Sequence, residues 1–512
     1  MTAPAVIGIH LDLKYHMPHK GYLLQWVRQL AAMGHNTLLI EYEDKFPFTS
    51  YPFLQDPEGW TPEELRTFLA TARSVGMRVI PLVQSLSHLE FALLHPQLAH
   101  LREMPDIPTQ ICPQHPQTVE FLLTLFREVL AYHQEDEYFH LGGDETWFLG
   151  TCPACKAWVD PIGKVKAWAE HQRKLIAFIQ RQGKRPIVWD DIFWQKPESV
   201  ADADLPKEVV LHAWNYAATS YTPGKFPQIE VYHRLGHQAL AAPCYDWGVL
   251  VPRRNHCLDN TRALAAKVHD AGMLGMINTG WASFHVPQPA KLANIAATAR
   301  LCRGQTVDEA WETGWYAEEY GAPAAGIPAA MEALGTLWEI PIAGYGRPIT
   351  LVPYGVMDMM AWFPGGQPER QKMGCYPLDF HDIDFTALYA KKLDLAFAEP
   401  NRAATIARCR ELQEGYLKAA ELLGRFAQAA TRKREAAALL ATLAELKLAA
   451  ADLVLYQLAG EGTGATLHRR LCDLAGPLRL GLGYCMEPQG LERIVSMWLL
   501  PLVAAAAAPS RA

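Results

Sequence analysis

Two acidic residues, Asp144 and Glu145, stand next to each other in the segment HLGGDE at residues 140–145, which follows an apolar strand-like segment. Adjacent carboxylates repel each other, so one tends to keep its proton when its neighbour ionises. A proton donor beside a fixed negative charge is the arrangement that cleavage of a glycosidic bond requires. The two glycines predict a backbone that a ligand can approach closely. The alternative is a solvated acidic pair at the end of a strand, and the surrounding elements decide between the two interpretations.

Eight short β-rich segments alternate with longer amphipathic segments in the first part of the chain. The predicted strands are residues 6–13, 37–41, 78–84, 138–142, 186–190, 209–214, 239–243 and 274–279. Apolar strands that alternate with helices indicate a parallel sheet covered by helices. Eight such units predict an α/β fold, a closed (β/α)8 TIM barrel. An open doubly wound sheet would have a glycine-rich phosphate-binding loop after its first strand, and residues 11–15 do not form one.

Polar and aromatic residues lie at the carboxyl end of every predicted strand. In strand order they are His10, Asp12 and Lys14; residues 41–44; Gln84 and His88; Asp144 and Glu145; residues 189–191; residues 214–216; Tyr245 and Asp246; and Trp281. The active site of a TIM barrel lies at the carboxyl ends of its strands. Acids and aromatic rings at every corner of one rim therefore predict a pocket, which favours the chemical interpretation of the acidic pair.

The alternation of strands and helices ends near residue 305. We expect a catalytic barrel over residues 1–305, an irregular extension packed on the barrel over 306–380, and an α-helical C-terminal domain over 381–512. In this last segment apolar residues recur every three or four positions, which is typical of paired amphipathic helices. Such helices either pack on the barrel or join two subunits, so a homodimer formed through them is one expected arrangement.

The composition excludes several classes of protein. Half of the 512 residues are apolar and a fifth are charged, as in soluble globular proteins. The net charge of −7 provides no basic surface, so we expect no nucleic-acid partner. The first apolar run, 6–13, lacks the basic leader of an export signal, and the longest one, 497–508, is too short to span a membrane. We therefore expect no membrane partner and a cytoplasmic location, where the ten cysteines are reduced thiols.

Several of these segments together resemble the family 20 glycoside hydrolases, the β-N-acetylhexosaminidases. They are most similar to the hexosaminidase D branch of that family. The resemblance rests on HLGGDE at 140–145, HLDLK at 10–14, LLIEYED at 38–44 with FPF at 46–48, IPLVQ at 80–84 and VWDD at 188–191. It covers the barrel segment and does not extend equally well into the C-terminal third.

The resemblance implies an exo-acting, retaining glycosidase that removes terminal β-linked GlcNAc or GalNAc from a glycan or glycoconjugate. In this family the 2-acetamido oxygen of the substrate attacks its own anomeric carbon and forms an oxazolinium ion. By motif match, Glu145 is the general acid and then the base, and Asp144 holds the acetamido N–H. Tyr245 is expected to donate a hydrogen bond to the acetamido oxygen. No cofactor is implied.

The resemblance also implies a set of substrate-binding residues. They are Asp12, Glu43, His88, Trp189, Asp191, Trp214 and Trp281. The tryptophans stand where family members wall the sugar pocket, the acids either bind sugar hydroxyls or hold loops together, and the histidine either orders the acidic pair or is structural.

One departure from the family concerns the sugar hydroxyls. Many members carry an arginine near the start of the first strand that grips the 3- and 4-hydroxyls, and residues 6–9 contain none. We expect Glu43 or Asp44 to recognise the 4-hydroxyl instead. The choice between GlcNAc and GalNAc stays open.

A pair of cysteines, Cys152 and Cys155, follows the acidic pair. A single C-x-x-C is a weak signal for zinc, because a structural site needs four ligands and no second pair has a suitable spacing. We expect two reduced thiols and no metal, with zinc as the alternative if a histidine or cysteine from elsewhere completes the site.

Three other functions stay open from the residues alone. The first is a metal-dependent barrel hydrolase, although such barrels need paired histidines on the first strand. Its ligands would be His10, Asp12, His88 and His140. The second is a carbohydrate-binding barrel without catalysis, against which both acids are present. The third is an interaction module in the C-terminal helices, with the barrel as a scaffold.

Overall fold

Eight parallel strands close into a barrel in the computed structural model of the protein, which describes residues 4–281, 286–336, 339–341, 348–350, 384–398 and 400–511. The strands in chain order are β1 (Val6–Asp12), β2 (Thr37–Glu41), β3 (Arg78–Leu82), β4 (Arg102–Met104), β5 (Ile107–Ile111), β6 (Tyr138–His140), β7 (Arg185–Trp189), β8 (Val210–Trp214), β9 (Gln238–Ala242), β10 (Gly248–Val249), β11 (Val251–Pro252), β12 (Gly275–Asn278), β13 (Glu339–Pro341) and β14 (Pro348–Thr350). The barrel order is β1-β2-β3-β6-β7-β8-β9-β12, and β12 pairs with β1. The predicted (β/α)8 fold is confirmed.

Helices connect the barrel strands and continue beyond them. In chain order they are α1 (Lys20–Met33), α2 (Pro62–Ser74), α3 (Glu90–Leu93), α4 (Thr118–Tyr132), α5 (Pro153–Ile162), α6 (Lys164–Arg181), α7 (Val200–Ala203), α8 (Pro227–Arg234), α9 (Arg254–Ala271), α10 (Gln288–Cys302), α11 (Glu309–Tyr320), α12 (Ile327–Gly335), α13 (Phe385–Phe397), α14 (Asn401–Ala429), α15 (Arg434–Ala459), α16 (Gly464–Gly483) and α17 (Pro488–Ala507). The helical character of the C-terminal region is also confirmed.

The strands are buried on both faces because the barrel has an inner and an outer core. On β2, Leu39 packs inside the barrel, whereas Leu38 and Ile40 pack against the helices outside. Side chains of a strand alternate between its two faces. A strand that is buried on both faces therefore has a continuous run of apolar residues in its sequence. This is why the sequence predicts each barrel strand to within two residues at either end.

The segment 306–380, predicted to be irregular, begins with two regular helices, α11 and α12. Tyr316 and Tyr320 stand four residues apart on α11, and both rings pack against Phe426 of α14, with Tyr320 at 5.2 Å between ring centroids. Residues at that spacing share one helix face, and their burial stabilises the helix. Most of the segment after α12 lies outside the described residues, and the domain boundaries stay a prediction.

The helix α17 is the one helix in the described part of the chain that is long and apolar enough to cross a membrane. The apolar run expected from the sequence, residues 497–508, is therefore shorter than the apolar helix itself, which begins at Pro488. Half of its most apolar window is buried inside the protein, and Trp498 is fully covered. Such packing is typical of a core helix. The absence of a membrane partner stays a prediction.

The C-terminal helices hold the loop that follows β1. The backbone N–H of His19 donates to the carbonyl of Cys485, and the backbone N–H of Glu487 donates to the carbonyl of Met17, each at 3.0 Å. The Glu487 carboxylate also accepts the backbone N–H of Lys20 at 3.2 Å. The turn between α16 and α17 is thus bonded to one corner of the barrel rim.

A buried ion pair fixes the ends of β9 and β12. The Lys291 ammonium on α10 lies 2.9 Å from one carboxylate oxygen of Asp246, and both side chains are fully buried. The other oxygen of Asp246 accepts the backbone N–H of Trp281 at 3.1 Å. Asp246 therefore positions the backbone at the end of β12, and we expect it to be structural.

Replacing Lys291 with Met leaves the Asp246 carboxylate buried without its cation, so we expect the free energy of unfolding to fall by about 3–5 kcal/mol. The double variant Asp246→Asn/Lys291→Met removes both charges and should recover most of that loss. Urea unfolding of the wild type, both single variants and the double variant measures the coupling. A double variant as unstable as the sum of the single variants would contradict this role of the pair.

Candidate active site

The loop at residues 140–145 turns through left-handed backbone conformations, with φ of +62° at Gly142 and +87° at Gly143. A Cβ atom at Gly142 would lie 1.9 Å from the amide oxygen of Gln84, and one at Gly143 would lie 2.6 Å from the amide nitrogen of Gln172. Only glycine fits at either position. The two glutamine side chains fill the space that a Cβ atom would need, and the close approach of a ligand to this backbone stays a prediction.

Hydrogen bonds to neighbouring strand ends hold the loop in place. The backbone N–H of Gly143 donates to the Gln84 side chain at 3.3 Å, and the Trp168 indole N–H donates to the Gly143 carbonyl at 2.8 Å. Glu145 also has a left-handed backbone, with φ of +47°. Its N–H donates to a carboxylate oxygen of Asp191 at 2.9 Å. Asp191 therefore positions the backbone of Glu145. Of the two roles expected for Asp191, this contact fits the one in which it holds a loop together.

Asp144 and Glu145 lie side by side at the mouth of the barrel, and His88 contacts both. The Nε2 atom of His88 lies 3.5 Å from Asp144 Oδ2 and 3.3 Å from Glu145 Oε2. Burial disfavours the imidazolium, but the two carboxylates outweigh that effect and raise the pKa of His88 well above its usual value. A charged His88 reduces the repulsion between the neighbouring acids. The structure thus places His88 where it can order the acidic pair.

A second group of charges lies behind His88. The Lys14 ammonium is 3.3 Å from Glu43 Oε1 and 3.5 Å from Glu90 Oε2, and all three side chains are buried. Glu90 Oε1 lies 4.0 Å from Nδ1 of His88. Burial raises the pKa of Glu43 even though Lys14 opposes the shift. Of the two acids predicted to bind the 4-hydroxyl, Glu43 is paired with Lys14, and Asp44 is paired with Lys45.

The acids deeper in the barrel are paired with neighbouring groups. Burial opposes ionisation of Glu41, but His10 at 3.4 Å and the Gln84 amide at 2.9 Å lower the pKa of Glu41 to about 2. Asp12 accepts the backbone N–H of Lys14 at 2.8 Å, and burial beside Glu41 raises the pKa of Asp12 to about 6. Asp12 is thus buried beside Glu41, with one of its oxygens bonded to its own loop.

The four ligands considered for a metal-dependent hydrolase do not converge within the described residues. His10 pairs with Glu41, and His88 contacts the acidic pair. Nδ1 of His140 accepts the backbone N–H of Gly142 at 3.0 Å, and its Nε2 lies 3.1 Å from a nitrogen of His212. Burial lowers the pKa of His140, so the ring is neutral. These contacts leave the metal-dependent interpretation without support.

The three tryptophans predicted for the pocket belong to one aromatic group, which we call the aromatic wall: Trp189, Trp214, Tyr216 and Trp281. Trp189 is buried, with its ring centroid 6.0 Å from that of Trp281. The Trp281 indole N–H donates to the Tyr216 hydroxyl oxygen at 2.8 Å. Tyr216 stacks on Trp214 with 5.0 Å between ring centroids.

The role predicted for Tyr245 is wrong. Its ring is fully buried, and its hydroxyl donates to the backbone carbonyl of His10 at 2.9 Å, inside the barrel wall. Tyr216 instead presents a hydroxyl at the rim. The Tyr216 oxygen accepts the Trp281 N–H, and the hydroxyl is also hydrogen-bonded to the Thr279 side chain. Burial raises the pKa of Tyr216, and these two hydrogen bonds oppose the shift.

Sequence reasoning also missed three exposed tryptophans at the rim: Trp147, Trp194 and Trp247, with exposed fractions of 47%, 40% and 37%. They follow β6, β7 and β9, at the carboxyl ends of the strands. The sequence could have indicated these tryptophans, because each lies within a few residues of a predicted rim residue. Exposed indole rings at a pocket mouth can stack on a ligand, including a sugar.

A buried acid, Asp190, supports the loop that follows β7. Its carboxylate accepts the Trp194 indole N–H and the Tyr232 hydroxyl, each at 3.0 Å. Burial raises the pKa of Asp190 to about 7. Asp190 therefore keeps its proton over a pH range in which an exposed aspartate is ionised.

Comparison with protein families gives a match for residues 8–227 to the model described as glycosyl hydrolase family 20, catalytic domain. The matched segment contains the loop 140–145 and extends from β1 to the start of α8. It ends before β9 and β12, the strands followed by Tyr245 and Trp281.

Hexosaminidase D of Bos taurus is 30% identical over 287 residues, which are 53% of this chain and 83% of that protein. Hexosaminidase D of Homo sapiens is 31% identical over 321 residues, which are 59% of this chain and 66% of that protein. The X-ray structure of Flavobacterium johnsoniae chitobiase has a TM-score of 0.51 and 16% identity, with 92% of this chain and 75% of that chain covered. At that identity, the last similarity concerns the fold alone.

Replacing Asp190 with Asn should change how stability depends on pH. Between about pH 4 and 7 the unfolded chain ionises Asp190 while the folded chain keeps the proton, so the free energy of unfolding falls as pH rises. The shift from 3.8 to about 7 corresponds to about 4 kcal/mol across that window. Asn cannot ionise, so the variant should gain on the wild type by up to this amount from pH 4 to 7.

Urea unfolding at a series of pH values measures the difference between the two curves, with the exposed Asp202→Asn as the control. If the curves of the wild type and Asp190→Asn stay parallel from pH 4 to 7, the buried carboxyl group is not the cause.

Proposed function

The chain belongs to glycosyl hydrolase family 20, and from this premise we propose that it is an exo-acting, retaining β-N-acetylhexosaminidase that removes terminal β-linked GlcNAc or GalNAc from a glycan or glycoconjugate. It is a glycoside hydrolase, and the proposal concerns its substrate and mechanism. The observation that carries the proposal is the contact of His88 with both Asp144 and Glu145 at the barrel mouth. Three members of the aromatic wall are partly exposed, Trp214, Tyr216 and Trp281, and in the proposal they provide a surface for the sugar ring and its acetyl group, with the buried Trp189 behind them.

In the proposed reaction, the acetamido oxygen of the substrate attacks C1 as the bond to the leaving oxygen breaks, and an oxazolinium ion forms. Glu145 gives its proton to the leaving oxygen, then takes a proton from the water that attacks C1 while the bond between C1 and the acetamido oxygen breaks. Asp144 accepts the acetamido N–H and stabilises the positive charge that develops on this group. The Glu145 side chain is 20% exposed and that of Asp144 is 10% exposed, which suits an outer leaving group and an inner acetamide.

This scheme explains why the two acids are adjacent. Each contacts one substrate atom, and the two atoms, the leaving oxygen and the acetamido nitrogen, belong to one small reacting centre. One oxygen of Asp144, Oδ1, is buried without a hydrogen-bond partner in the described part of the chain, which suits an acceptor of the substrate N–H. When Glu145 releases its proton, the new carboxylate faces the charged His88. The imidazolium therefore stabilises the charge that appears on Glu145 during the first step.

Tyr216 is the hydrogen-bond donor that we propose for the acetamido oxygen, in place of Tyr245. Its oxygen is held by Trp281, and its ring is stacked on Trp214, so the hydroxyl is positioned before a ligand binds. A donor fixed in advance stabilises developing charge without a cost of reorganisation.

We also propose a cytoplasmic location and a homodimer formed through the C-terminal helices. The nine cysteines among the described residues are free thiols, which fits a reducing compartment. Three leucines on these helices, Leu417, Leu480 and Leu500, are exposed, and apolar side chains of this kind suit a subunit contact.

Glu145→Gln should lose most of its turnover, at least about 100-fold, on a GlcNAc β-glycoside with a poor leaving group, because the proton donor is missing. The loss should be smaller on p-nitrophenyl GlcNAc, whose leaving group needs little protonation. Asp144→Asn should slow both substrates. Steady-state kinetics on aryl β-glycosides of GlcNAc, GalNAc and glucose test the scheme, and cleavage of the glucoside at a similar rate would rule out participation of the acetamide.

Tyr216→Phe and Tyr245→Phe form a matched pair, because each removes one buried hydroxyl. Tyr216→Phe should lower kcat/KM on the acetamido sugar by about 100-fold, since a donor to developing charge is lost. Tyr245→Phe should lower the free energy of unfolding by about 1 kcal/mol through the lost bond to His10 and leave kcat/KM nearly unchanged. The opposite pattern would return the role to Tyr245.

A further inference from the structure

Three cysteine sulfurs converge beside the loop that carries the acidic pair. Cys112 directly follows β5, and Cys152 and Cys155 lie at the start of α5, a few residues after Glu145. The Cys112 sulfur is 3.7 Å from that of Cys152 and 3.5 Å from that of Cys155. All three sulfurs lie within 4.8 Å of one another. The third cysteine, absent from the sequence prediction, is thus supplied from a segment forty residues away.

The spacing of the sulfurs matches a metal-thiolate site. With a zinc–sulfur bond of about 2.3 Å, the sulfurs of a tetrahedral site are about 3.8 Å apart. Disulfide-bonded sulfurs are about 2.05 Å apart. The observed distances of 3.5 and 3.7 Å are close to the first value and far from the second.

Two turns of the same sequence type present the sulfurs. They are CPQH at 112–115 and CPAC at 152–155. In the second turn the backbone N–H of Cys155 donates to the Cys152 sulfur at 3.3 Å. In the first turn the backbone N–H groups of Gln114 and His115 point at the Cys112 sulfur. Backbone N–H groups that point at a sulfur stabilise the thiolate, which is the metal-binding form.

The other buried cysteines among the described residues have a different environment. Cys244, Cys257 and Cys302 each point their thiol at a carboxylate or a backbone carbonyl, as neutral S–H donors do. Within the described residues, cysteine sulfurs that lie within 4 Å of one another are found in this cluster alone. Packing as small apolar residues does not account for that arrangement.

We propose that Cys112, Cys152 and Cys155 bind one zinc ion as thiolates. The fourth ligand would be water, or His115 after a movement of its ring, because its Nδ1 accepts the backbone N–H of Gln117 in this structure and lies outside the cluster. Three thiolate ligands with one further ligand are a common composition of structural zinc sites.

The ion would fix the segment that follows Glu145. Between Glu145 and the cluster, the backbone N–H groups of residues 148, 150 and 151 donate to the side chains of Gln110 and Glu103 on the β4–β5 hairpin, at 2.7–3.1 Å. The hairpin also leads directly to Cys112. Zinc would therefore join the end of the hairpin to the start of α5 and complete the attachment of this segment to the barrel.

Metal analysis of the purified protein, residues 1–512, tests the proposal independently of its hydrolase activity. We expect about one zinc ion per chain in the wild type and in Cys472→Ser, which replaces an exposed cysteine outside the cluster. Cys152→Ser/Cys155→Ser should contain essentially none. Removal of the ion from the wild type with a chelator should lower Tm by several degrees, and added zinc should restore it.

A second measurement uses the wild type alone, in case the double variant does not fold. Wild-type chain loaded with Co²⁺ in place of zinc should show the visible absorption of tetrahedral cobalt with thiolate ligands. A metal-free native protein with unchanged Tm in chelator, or one with a disulfide within the cluster, would overturn the proposal. Either outcome leaves the proposed glycosidase function untouched, since that function uses none of the three cysteines.

Discussion

The imidazole of His88 lies within 3.5 Å of two adjacent carboxylates, and the arrangement of the barrel mouth depends on this contact. Two neighbouring anions in a nearly buried site would repel each other strongly without a cation between them. The backbone is left-handed on both sides of the contact, with φ of +56° at His88 and +47° at Glu145. Such a backbone costs about 1–3 kcal/mol per residue and persists only where its surroundings enforce it. The fold thus tolerates strain to keep the imidazole beside the two acids.

The remaining charges of the rim mostly balance one another. Lys14 pairs with Glu43 and Glu90, and Glu90 in turn lies near His88. Asp191 accepts the backbone N–H of Glu145. These groups surround the acidic pair and hold it, so many acids at the rim do not mean many acids in contact with a substrate. Some of the carboxylates at the strand ends therefore position the two acids that are proposed to react.

The sequence predicted the barrel well because each strand has an apolar environment on both faces and therefore a continuous apolar run. It predicted the acidic pair because both residues directly follow such a run. It failed at Tyr245 because the backbone there is still bonded to Thr279 of the neighbouring strand, so the ring packs within the wall. Tyr216 lies two residues beyond the end of β8 and turns to the rim. The direction in which such a side chain points depends on tertiary hydrogen bonds. The run of apolar residues that predicts a strand carries no information about these bonds. The same holds for Cys112, which the short β4–β5 hairpin brings to the other two cysteines.

The bonds between the loop after β1 and the turn before α17 have a consequence for the order of events during synthesis. Met17 and His19 precede seven of the eight barrel strands in the chain, and their partners Glu487 and Cys485 follow all eight. A nascent chain that has completed all eight barrel strands still lacks these bonds. The corner of the rim next to Lys14 therefore reaches its final form only after the helical region has been translated, and a growing chain carries an unfinished pocket.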